Sequence, residues 1–223
     1  FFVFFFFFFF FFFFFFFFVL FSSSSSFSSI VIQSIKARMA VTLGHELGRG
    51  FYGVVYRGRW QARAVAVKAL TSAADAQQQL AFLREAERLF ELRHTHIVAV
   101  LGLVRHPEPL LVLELVPLGA LDEYLRARQR EVPPAQLLQF ALQAAQALAF
   151  LEQHLVVHRD VAARNVLVAD AQTVKLGDFG LARAAGYVHS PRSMLPVLWY
   201  PPEAMQAGYQ YTSKHDIWSW AGE

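Results

Sequence analysis

The first 21 residues form an uninterrupted apolar stretch of 18 Phe with Val3, Val19 and Leu20, and this stretch divides the chain into two unlike parts. At about 1.5 Å per residue it is long enough to span a bilayer as a helix. Natural spans mix Leu, Ile, Val and Ala, and no charge precedes this stretch as a signal peptide requires. Any globular fold therefore has to be built from the residues that follow.

Phe21 to Phe27 enclose five consecutive Ser, and this composition suggests a second origin for the segment. Phe and Ser are among the few residues that pyrimidines alone can encode, so a translated polypyrimidine tract beside a splice acceptor would look like this. We predict that residues 1 to about 38 are partly intron translated as protein. A membrane segment and a soluble low-complexity tail are the alternatives. A spliced transcript that retains the Phe codons would contradict the prediction.

The rest of the chain has an ordinary composition and carries all of the charge. All 20 basic and 17 acidic side chains lie at Lys36 or later and give a net charge of +3. Such a balance argues against a nucleic-acid partner recognised by charge. Because the chain contains no Cys, a disulfide-stabilised secreted scaffold and a Cys-ligated zinc site are excluded, and a reducing compartment such as the cytoplasm is favoured.

Apolar periodicity predicts a β-rich beginning and a mainly helical second part. Residues 43–58 alternate apolar and polar, and residues 64–70 add a short β-branched run, so both predict strands. Apolar residues at three- and four-residue spacing predict an amphipathic helix over 77–92. The apolar runs 97–104 and 110–116 predict two further strands. A long Ala/Leu/Gln helix is predicted from Pro134 to about His154, with Pro134 in its first turn.

Gly48, Gly50 and Gly53 have the spacing Gly-x-Gly-x-x-Gly, which is a weak signal by itself. The same spacing opens dinucleotide-binding helices and arises by chance in Gly-rich turns. Here residues 54–58 continue as a strand, so the pattern predicts a hairpin instead. Glycines at its tip would let backbone N–H groups approach phosphate oxygens, and a turn without a ligand is the alternative.

Lys68 ends the strand predicted at residues 65–67 and shares a face with Ala66. A lone Lys at a strand end is usually a solvated edge residue. If it has an acidic partner, that partner would come from the predicted helix. Glu85 lies on or beside the apolar face of that helix, whereas Glu87 and Glu91 point farther round, so Glu85 is the candidate.

The strongest signal is HRDVAARN at residues 158–165, followed by Asp178-Phe179-Gly180. With the Gly-rich hairpin and VAVK before them, these motifs occur in the order that characterises protein kinases. Residues 43–220 resemble a protein kinase catalytic domain, and more narrowly a protein-tyrosine kinase. The resemblance implies an α+β bilobal fold. Residues 40–113 would form a small β-rich lobe with one helix, residues 114–116 a hinge, and residues 117–223 a mainly helical large lobe that is truncated at its central helix; residues 1–39 would stand apart.

The resemblance implies transfer of a phosphoryl group from ATP, with Mg²⁺, to tyrosine hydroxyls of protein substrates. Asp160 would accept the hydroxyl proton, and Arg164 belongs to the same catalytic motif. Lys68 would bind the α- and β-phosphates and pair with Glu85. Oxygen ligands for Mg²⁺ would come from Asn165 and Asp178. The nucleotide would be held by the Gly-rich hairpin, the hinge and apolar walls formed by Leu47, Gly48, Gly50, Gly53, Val55, Ala66, Leu113, Glu114, Val116 and Leu167.

Two places favour tyrosine over serine or threonine as the acceptor. Position 162 is Ala where related Ser/Thr kinases usually carry Lys, and Arg164 matches the tyrosine-kinase pattern. Residues 195–197, Leu-Pro-Val, resemble the platform on which a substrate phenol ring lies. The chain departs from the family at Leu198, where Lys is usual, and at residues 201–203, which are Pro-Pro-Glu in place of Ala-Pro-Glu.

Tyr187 is the candidate for regulatory phosphorylation, with Arg159 as the side chain that would receive its phosphate; an ordinary solvated loop Tyr is the alternative. A pseudokinase or scaffold that binds nucleotide, and an inactive gene fragment, are the competing interpretations of the whole chain. We also expect that residues 1–223 alone will not give a soluble, active kinase. In that expectation the apolar faces of the 134–154 helix and of Ile217, Trp218 and Trp220 lack their covering layer.

Overall fold

The computed structural model describes residues 41–50, 53–70, 79, 82–83, 86, 89–104, 109–128, 131–188, 199–206 and 208–222. The Phe/Ser-rich segment 1–39 and Glu85 lie outside these residues. Within them, one five-stranded antiparallel sheet has the order β1-β2-β3-β5-β4. Its strands are β1 (Val41–Gly50), β2 (Gly53–Trp60), β3 (Arg63–Ala69), β4 (Val100–Val104) and β5 (Leu110–Glu114).

The two faces of this sheet have different surroundings. On one face Val65, Val67 and Val112 are fully buried in a small apolar cluster of their own. Register places Val55 opposite Lys68 and Ala66 opposite Leu113, and directly opposed residues share a face. The predicted nucleotide walls Val55, Ala66 and Leu113 therefore lie on the same face as Lys68.

A helix lies between β3 and β4, as the apolar spacing of residues 77–92 predicts. The described residues Gln79, Phe82, Leu83, Ala86 and 89–91 are all helical. Phe82, Ala86 and Leu89 belong to the main apolar core, which extends from this helix to the second half of the chain. The helix is therefore fixed against the sheet by the stripe that its sequence pattern predicts.

The second half of the chain is mainly helical and also contains two short pairs of antiparallel strands, which are joined by loops. In chain order its elements are α1 (Leu121–Arg128), α2 (Pro134–Gln153), β6 (Val156–Val157), β7 (Val166–Asp170), β8 (Thr173–Leu176), β9 (Arg183–Ala184) and α3 (Ser213–Ala221). The long helix α2 begins at Pro134, as predicted, and buries Phe140, Ala147 and Leu151. The two antiparallel pairs are β6 with β9 and β7 with β8.

One predicted strand begins later than its sequence pattern indicates. The apolar run 97–104 is a strand of the sheet only from Val100. Ile97 instead forms a parallel bridge with Leu176 of β8, and the N–H of Val98 donates to the Leu176 carbonyl at 2.9 Å. The backbone of this run is therefore divided between the sheet and β8, so it joins the two halves of the structure.

Several large apolar side chains on α2 and α3 are exposed. Leu138 and Leu142 are 72% and 59% exposed, and Ile217 and Trp218 are 50% and 52% exposed. Trp220, by contrast, is partly buried against the main core. No helix in the described ranges combines the length and the apolar character needed to cross a membrane.

We expect Gly53→Ala to destabilise the fold and Gly48→Ala to leave it nearly unchanged. A Cβ on Gly53 would lie 2.2 Å from the Ala69 carbonyl oxygen, and its φ is +154°, whereas a Cβ on Gly48 meets nothing within 4 Å. Since a backbone carbonyl cannot yield cheaply, the first change should cost about 2 kcal/mol of unfolding free energy. Urea denaturation of both variants of the full-length protein measures this. Equal stability of the two variants would contradict it.

Candidate functional site

The loop between β6 and β7 brings together the three polar side chains that its motif predicts. The Asp160 carboxylate accepts a hydrogen bond from the Asn165 Nδ2 at 2.9 Å, and its other oxygen pairs with the Arg164 guanidinium. The same Nδ2 also donates to the Asp160 carbonyl at 2.8 Å. The short 3-10 turn Ala163–Asn165 brings the Asn165 side chain back to Asp160. Arg164 and Asn165 thus orient the Asp160 carboxylate, and 16% of the Asp160 side chain stays exposed.

Asp216 on α3 holds the backbone of this loop from behind. Its carboxylate is 3% exposed and accepts the N–H groups of His158 at 2.7 Å and Arg159 at 2.8 Å. Burial raises the pKa of Asp216, and the neighbouring His158 and these two N–H groups oppose the rise. The sequence places Asp216 in a run, residues 216–220, that resembles the start of the central helix of the large lobe, and predicts no role for it in the site.

His158 connects this loop to the segment that carries Asp178. Its Nε2 lies 2.9 Å from the Gly177 carbonyl oxygen, which can only accept, so Nε2 carries the proton. Its Nδ1 is then the acceptor for the Asp160 N–H at 3.3 Å. The Gly177 N–H in turn donates to the Asn165 carbonyl at 2.8 Å. The two loops are thereby fixed to each other next to Asp160, Asn165 and Asp178.

Lys68 is a buried residue of the site and not a solvated strand end. It is 6% exposed, and its Nζ lies 2.9 Å from the Asp178 Oδ1. Burial opposes ionisation of Asp178, but the Lys68 ammonium and its hydrogen bond outweigh this and lower the pKa of Asp178. The lowered pKa keeps the Asp178 carboxylate ionised. Its side chain is 49% exposed, so a ligand can reach it. The predicted partner Glu85 lies outside the described residues.

The oxygen atoms of Asn165 and Asp178 suit Mg²⁺, as the sequence predicts. Asp178 has a φ of +50°, a backbone conformation that is uncommon for a non-Gly residue and is often found at functional sites. Among the described residues, no cluster of three or more His, Cys, Asp or Glu could hold a metal ion by itself. Mg²⁺ is commonly held by one or two protein oxygens together with phosphate oxygens, and its binding by Asn165 and Asp178 stays a prediction.

The predicted hinge lies where β5 leaves the sheet. The Glu114 carboxylate is fully engaged: it pairs with Lys175 of β8 at 2.7 and 2.9 Å and accepts the Ala99 N–H at 2.7 Å. Its side chain is therefore unavailable to a ligand, which leaves the backbone of 114–116 for that purpose. No described backbone carbonyl accepts the N–H of Val116.

The predicted apolar walls of the cleft come from both halves of the structure. Leu47 on β1 is 45% exposed, and the space beside Gly48 is open. On the other side Leu167 of β7 lies close to Gly177, where a Cβ would be 3.5 Å from its Cδ1. Leu167 also forms an isolated bridge with Ala120, just beyond the hinge. These residues lie on the small sheet and on β7; that they enclose one nucleotide pocket stays a prediction.

Behind the loop of residues 158–165 lies a cluster of rings that we call the aromatic box: Tyr187, Tyr200, Tyr209, Tyr211 and His215. Arg159 enters it, 2% exposed and with a φ of +69°. Its guanidinium Cζ lies 4.1 Å from the Tyr211 ring centroid and 5.1 Å from that of Tyr187, and its Nη1 donates to the Leu181 carbonyl at 3.2 Å. The faces of these rings partly offset the cost of burying the charge.

The substrate platform predicted at 195–197, together with Leu198, lies outside the described residues. The chain is described again from Trp199, whose ring centroid lies 4.3 Å from the Arg164 Cζ. The departure at Pro201-Pro202-Glu203 forms a 3-10 turn over Pro202–Met205. This turn buries Ala204 beside the aromatic box.

Comparison with known proteins gives consistent matches. The family described as protein tyrosine and serine/threonine kinase matches residues 41–221. The megakaryocyte-associated tyrosine-protein kinase of Rattus norvegicus is 42% identical over 180 residues, which cover 80% of this chain and 38% of that protein. Tyrosine-protein kinase HTK16 of Hydra vulgaris is 39% identical over 198 residues, 84% of this chain and 26% of that protein. The insulin-like growth factor 1 receptor of Bos taurus is 36% identical over 204 residues, 82% and 32% respectively. The chain thus spans well under half the length of these relatives.

We expect acid to destabilise the fold through His215. Burial, with a smaller contribution from Arg159, lowers the pKa of His215 to about 4, below the ordinary value of about 6.5. The folded state favours the neutral ring, so its contribution is complete above about pH 6.5 and is lost as the pH falls toward 4. Between pH 7.5 and 5 the loss should be about 2 kcal/mol.

Thermal or urea unfolding of the full-length protein and of His215→Phe across this pH range measures the effect. The variant cannot take up the proton, so its stability should fall less on acidification. Asp216 titrates with the opposite sign because its pKa is raised, and it is present in both proteins. Parallel pH profiles for the two proteins would refute the assignment to His215.

Proposed function

Because this chain belongs to the protein tyrosine and serine/threonine kinase family, we propose that the protein transfers the γ-phosphoryl group of ATP to tyrosine hydroxyls of protein substrates. The observation that carries the proposal is the Asp160 carboxylate. It is oriented by Arg164 and Asn165 and stays partly accessible beside the cleft. Phosphoryl transfer depends mainly on such positioning and on neutralisation of charge.

In this mechanism Asp160 accepts the proton of the substrate phenol as its oxygen forms the new bond to phosphorus. The bond from phosphorus to the ADP oxygen breaks in the same displacement. Arg164 and Asn165 keep the Asp160 carboxylate pointed at the incoming hydroxyl. Since both donors come from the same turn of the chain, little reorganisation is needed when substrate arrives.

Asn165 and Asp178 would hold Mg²⁺, which when bound supplies positive charge to the phosphate oxygens. Lys68 would contact the α- and β-phosphates, and its ion pair with Asp178 supports a position next to the proposed Mg²⁺ site. Pairing of Lys68 with Glu85 in the active state is part of the proposal. It rests on the sequence position of Glu85 alone.

The adenine ring would lie between the apolar walls and bind the backbone of 114–116. Support comes from the engaged Glu114 side chain and from the Val116 N–H, which no backbone carbonyl in the described part of the chain accepts. Leu113, whose side chain shares a face with Ala66 and Lys68, would border the deeper part of the pocket. The glycines of the β1–β2 hairpin would cover the phosphates.

Tyrosine as the acceptor is supported by Ala162 and Arg164 in the catalytic loop. The names of several relatives also include tyrosine-protein kinase. A pseudokinase or scaffold role is the competing proposal. It is weakened because Lys68, Asp160, Asn165 and Asp178 are all present. The catalytic domain is proposed to work in the cytoplasm, where its nucleotide is available and where a chain without Cys is unexceptional.

Tyr187 remains the proposed site of regulatory phosphorylation. Two guanidinium groups lie near its ring, with the Cζ atoms of Arg159 and Arg183 at 5.1 and 5.8 Å from the centroid. A phosphate on Tyr187 would be attracted by both. Mass spectrometry after incubation with Mg-ATP should find phosphate on Tyr187, and its absence from an active preparation would exclude this role.

Replacing the proposed base gives a direct test of function. Asp160→Asn in the full-length protein should lower the kcat for phosphorylation of a tyrosine peptide by about 10²-fold or more. Binding of Mg-ATP should be nearly intact, because Asp160 is not one of the proposed nucleotide contacts. Peptides with Ser or Thr in place of Tyr are the matched substrates. Activity of Asp160→Asn within a few-fold of the parent would reject the assignment.

The proposed ion pair can be tested by a double-mutant cycle. Lys68→Met and Glu85→Gln should each reduce kcat by about tenfold or more, and the double variant should lose less than the product of the two. Residues that act as one unit are not additive, which is the physical reason for the expected result. Kinetics of the four proteins measure the coupling. Full multiplicativity would exclude Glu85 as the partner and direct attention to Glu87.

A further inference from the structure

Trp199 lies where the catalytic loop meets α3, and contacts on two sides fix its position. The Arg164 guanidinium lies over its ring, with Cζ 4.3 Å from the centroid. Its carbonyl oxygen accepts a hydrogen bond from the Ser219 hydroxyl on α3 at 2.7 Å. Since Arg164 pairs with the Asp160 carboxylate, the place of the Trp199 ring limits the directions from which Arg164 can reach Asp160.

Tyr200, the next residue, is wedged against α3 inside the aromatic box. Its ring centroid lies 4.3 Å from that of His215, with the two planes at 84°. Tyr200 is 5% exposed and His215 is fully buried. An edge-to-face contact of this kind is favourable and specific in direction. Because Tyr200 and Trp199 share a peptide bond, the His215 ring also restrains Trp199.

His215 acts in this contact as a ring and not as a hydrogen-bonding group. Neither of its ring nitrogens has a hydrogen-bond partner within the described part of the chain. Its neighbour on α3 is Asp216, which holds the loop backbone at His158 and Arg159. Two consecutive residues of α3 therefore act on the loop of residues 158–165. Asp216 binds its backbone through the carboxylate. His215 reaches it indirectly, through Tyr200, Trp199 and Arg164.

The geometry points to His215 as a positioning residue for phosphoryl transfer, a role that rests on the function proposed above. Through Tyr200 it keeps Trp199 under Arg164, and Arg164 in turn keeps the Asp160 carboxylate in one orientation. His215 touches neither the nucleotide nor the acceptor tyrosine. Removing its ring should therefore slow the chemical step and leave nucleotide affinity unchanged.

The test compares His215→Ala, His215→Phe and the parent in the full-length protein. His215→Ala should lower kcat about tenfold, because small misplacement of catalytic groups is costly, and should leave the KM for ATP within about twofold. His215→Phe restores a buried ring and should return kcat to within about threefold of the parent. Lys214→Ala, exposed on the same helix, is the matched control and should behave as the parent.

Parental kcat in a folded His215→Ala protein would overturn the role, and so would a His215→Phe variant as slow as His215→Ala. If His215→Ala shows no cooperative unfolding, Ser219→Ala takes its place, with Ser219→Thr as the variant that keeps the hydroxyl. Ser219→Ala should lower kcat and Ser219→Thr should restore it. Equal kcat in both would show that the placement of Trp199 does not affect turnover, and the role of His215 through Trp199 would then be overturned.

A second readout does not depend on phosphoryl transfer. The Nε–H resonance of Arg164, assigned with Arg164→Lys, should carry a ring-current shift from Trp199. This shift should diminish in His215→Ala and persist in Lys214→Ala. An unchanged shift in His215→Ala overturns the positioning role, whatever the activity. If the parent phosphorylates no tyrosine peptide but the shift responds as expected, the proposed function fails while the contact stands.

Discussion

A buried carboxylate on α3, Asp216, holds the geometry on which the rest of the site depends. It accepts two consecutive backbone N–H groups, those of His158 and Arg159, at 2.7 and 2.8 Å. Fixing two successive peptide units fixes the direction of the chain at Asp160, the next residue. Removing one partner of such a buried bond leaves the other unsatisfied, which costs more than the bond itself contributes. The loop is therefore placed by a helix distant from it in sequence, and its own side chains only refine that placement.

The two halves of the structure meet through backbone pairing and through two ion pairs. Residues 96–98 pair with Leu176 of β8, Lys68 reaches Asp178, and Glu114 reaches Lys175. Each ion pair joins the sheet to the strand or loop that carries Asp178. The orientation of that carboxylate relative to the hinge is therefore set by ion pairs in which Lys68, Glu114 and Lys175 are largely buried, where such pairs are stronger than at the surface.

Much of the fold and of the site was predictable because it is encoded in short segments. Periodicity located the five strands and α2, and the motifs located Asp160, Asn165 and Asp178. The strand start at residue 97 was wrong, because the backbone of 97–98 pairs with β8, which no local pattern reveals. The eight-residue helix α1 went unpredicted because Tyr124 is its single buried residue, too little for a recognisable stripe. The Asp216 contacts and the aromatic box join residues far apart in sequence, and composition gives no sign of them.

The three glycines of the β1–β2 hairpin are not equivalent, and this affects how such patterns can be interpreted. Gly53 is required by the Ala69 carbonyl of the neighbouring strand, whereas the space beside Gly48 is open. Packing therefore requires glycine at position 53 and does not require it at position 48. If the hairpin binds nucleotide as proposed, a descendant that lost this binding should keep Gly53 and drift at Gly48. The identity of residue 48 across such descendants would then record whether nucleotide binding persists.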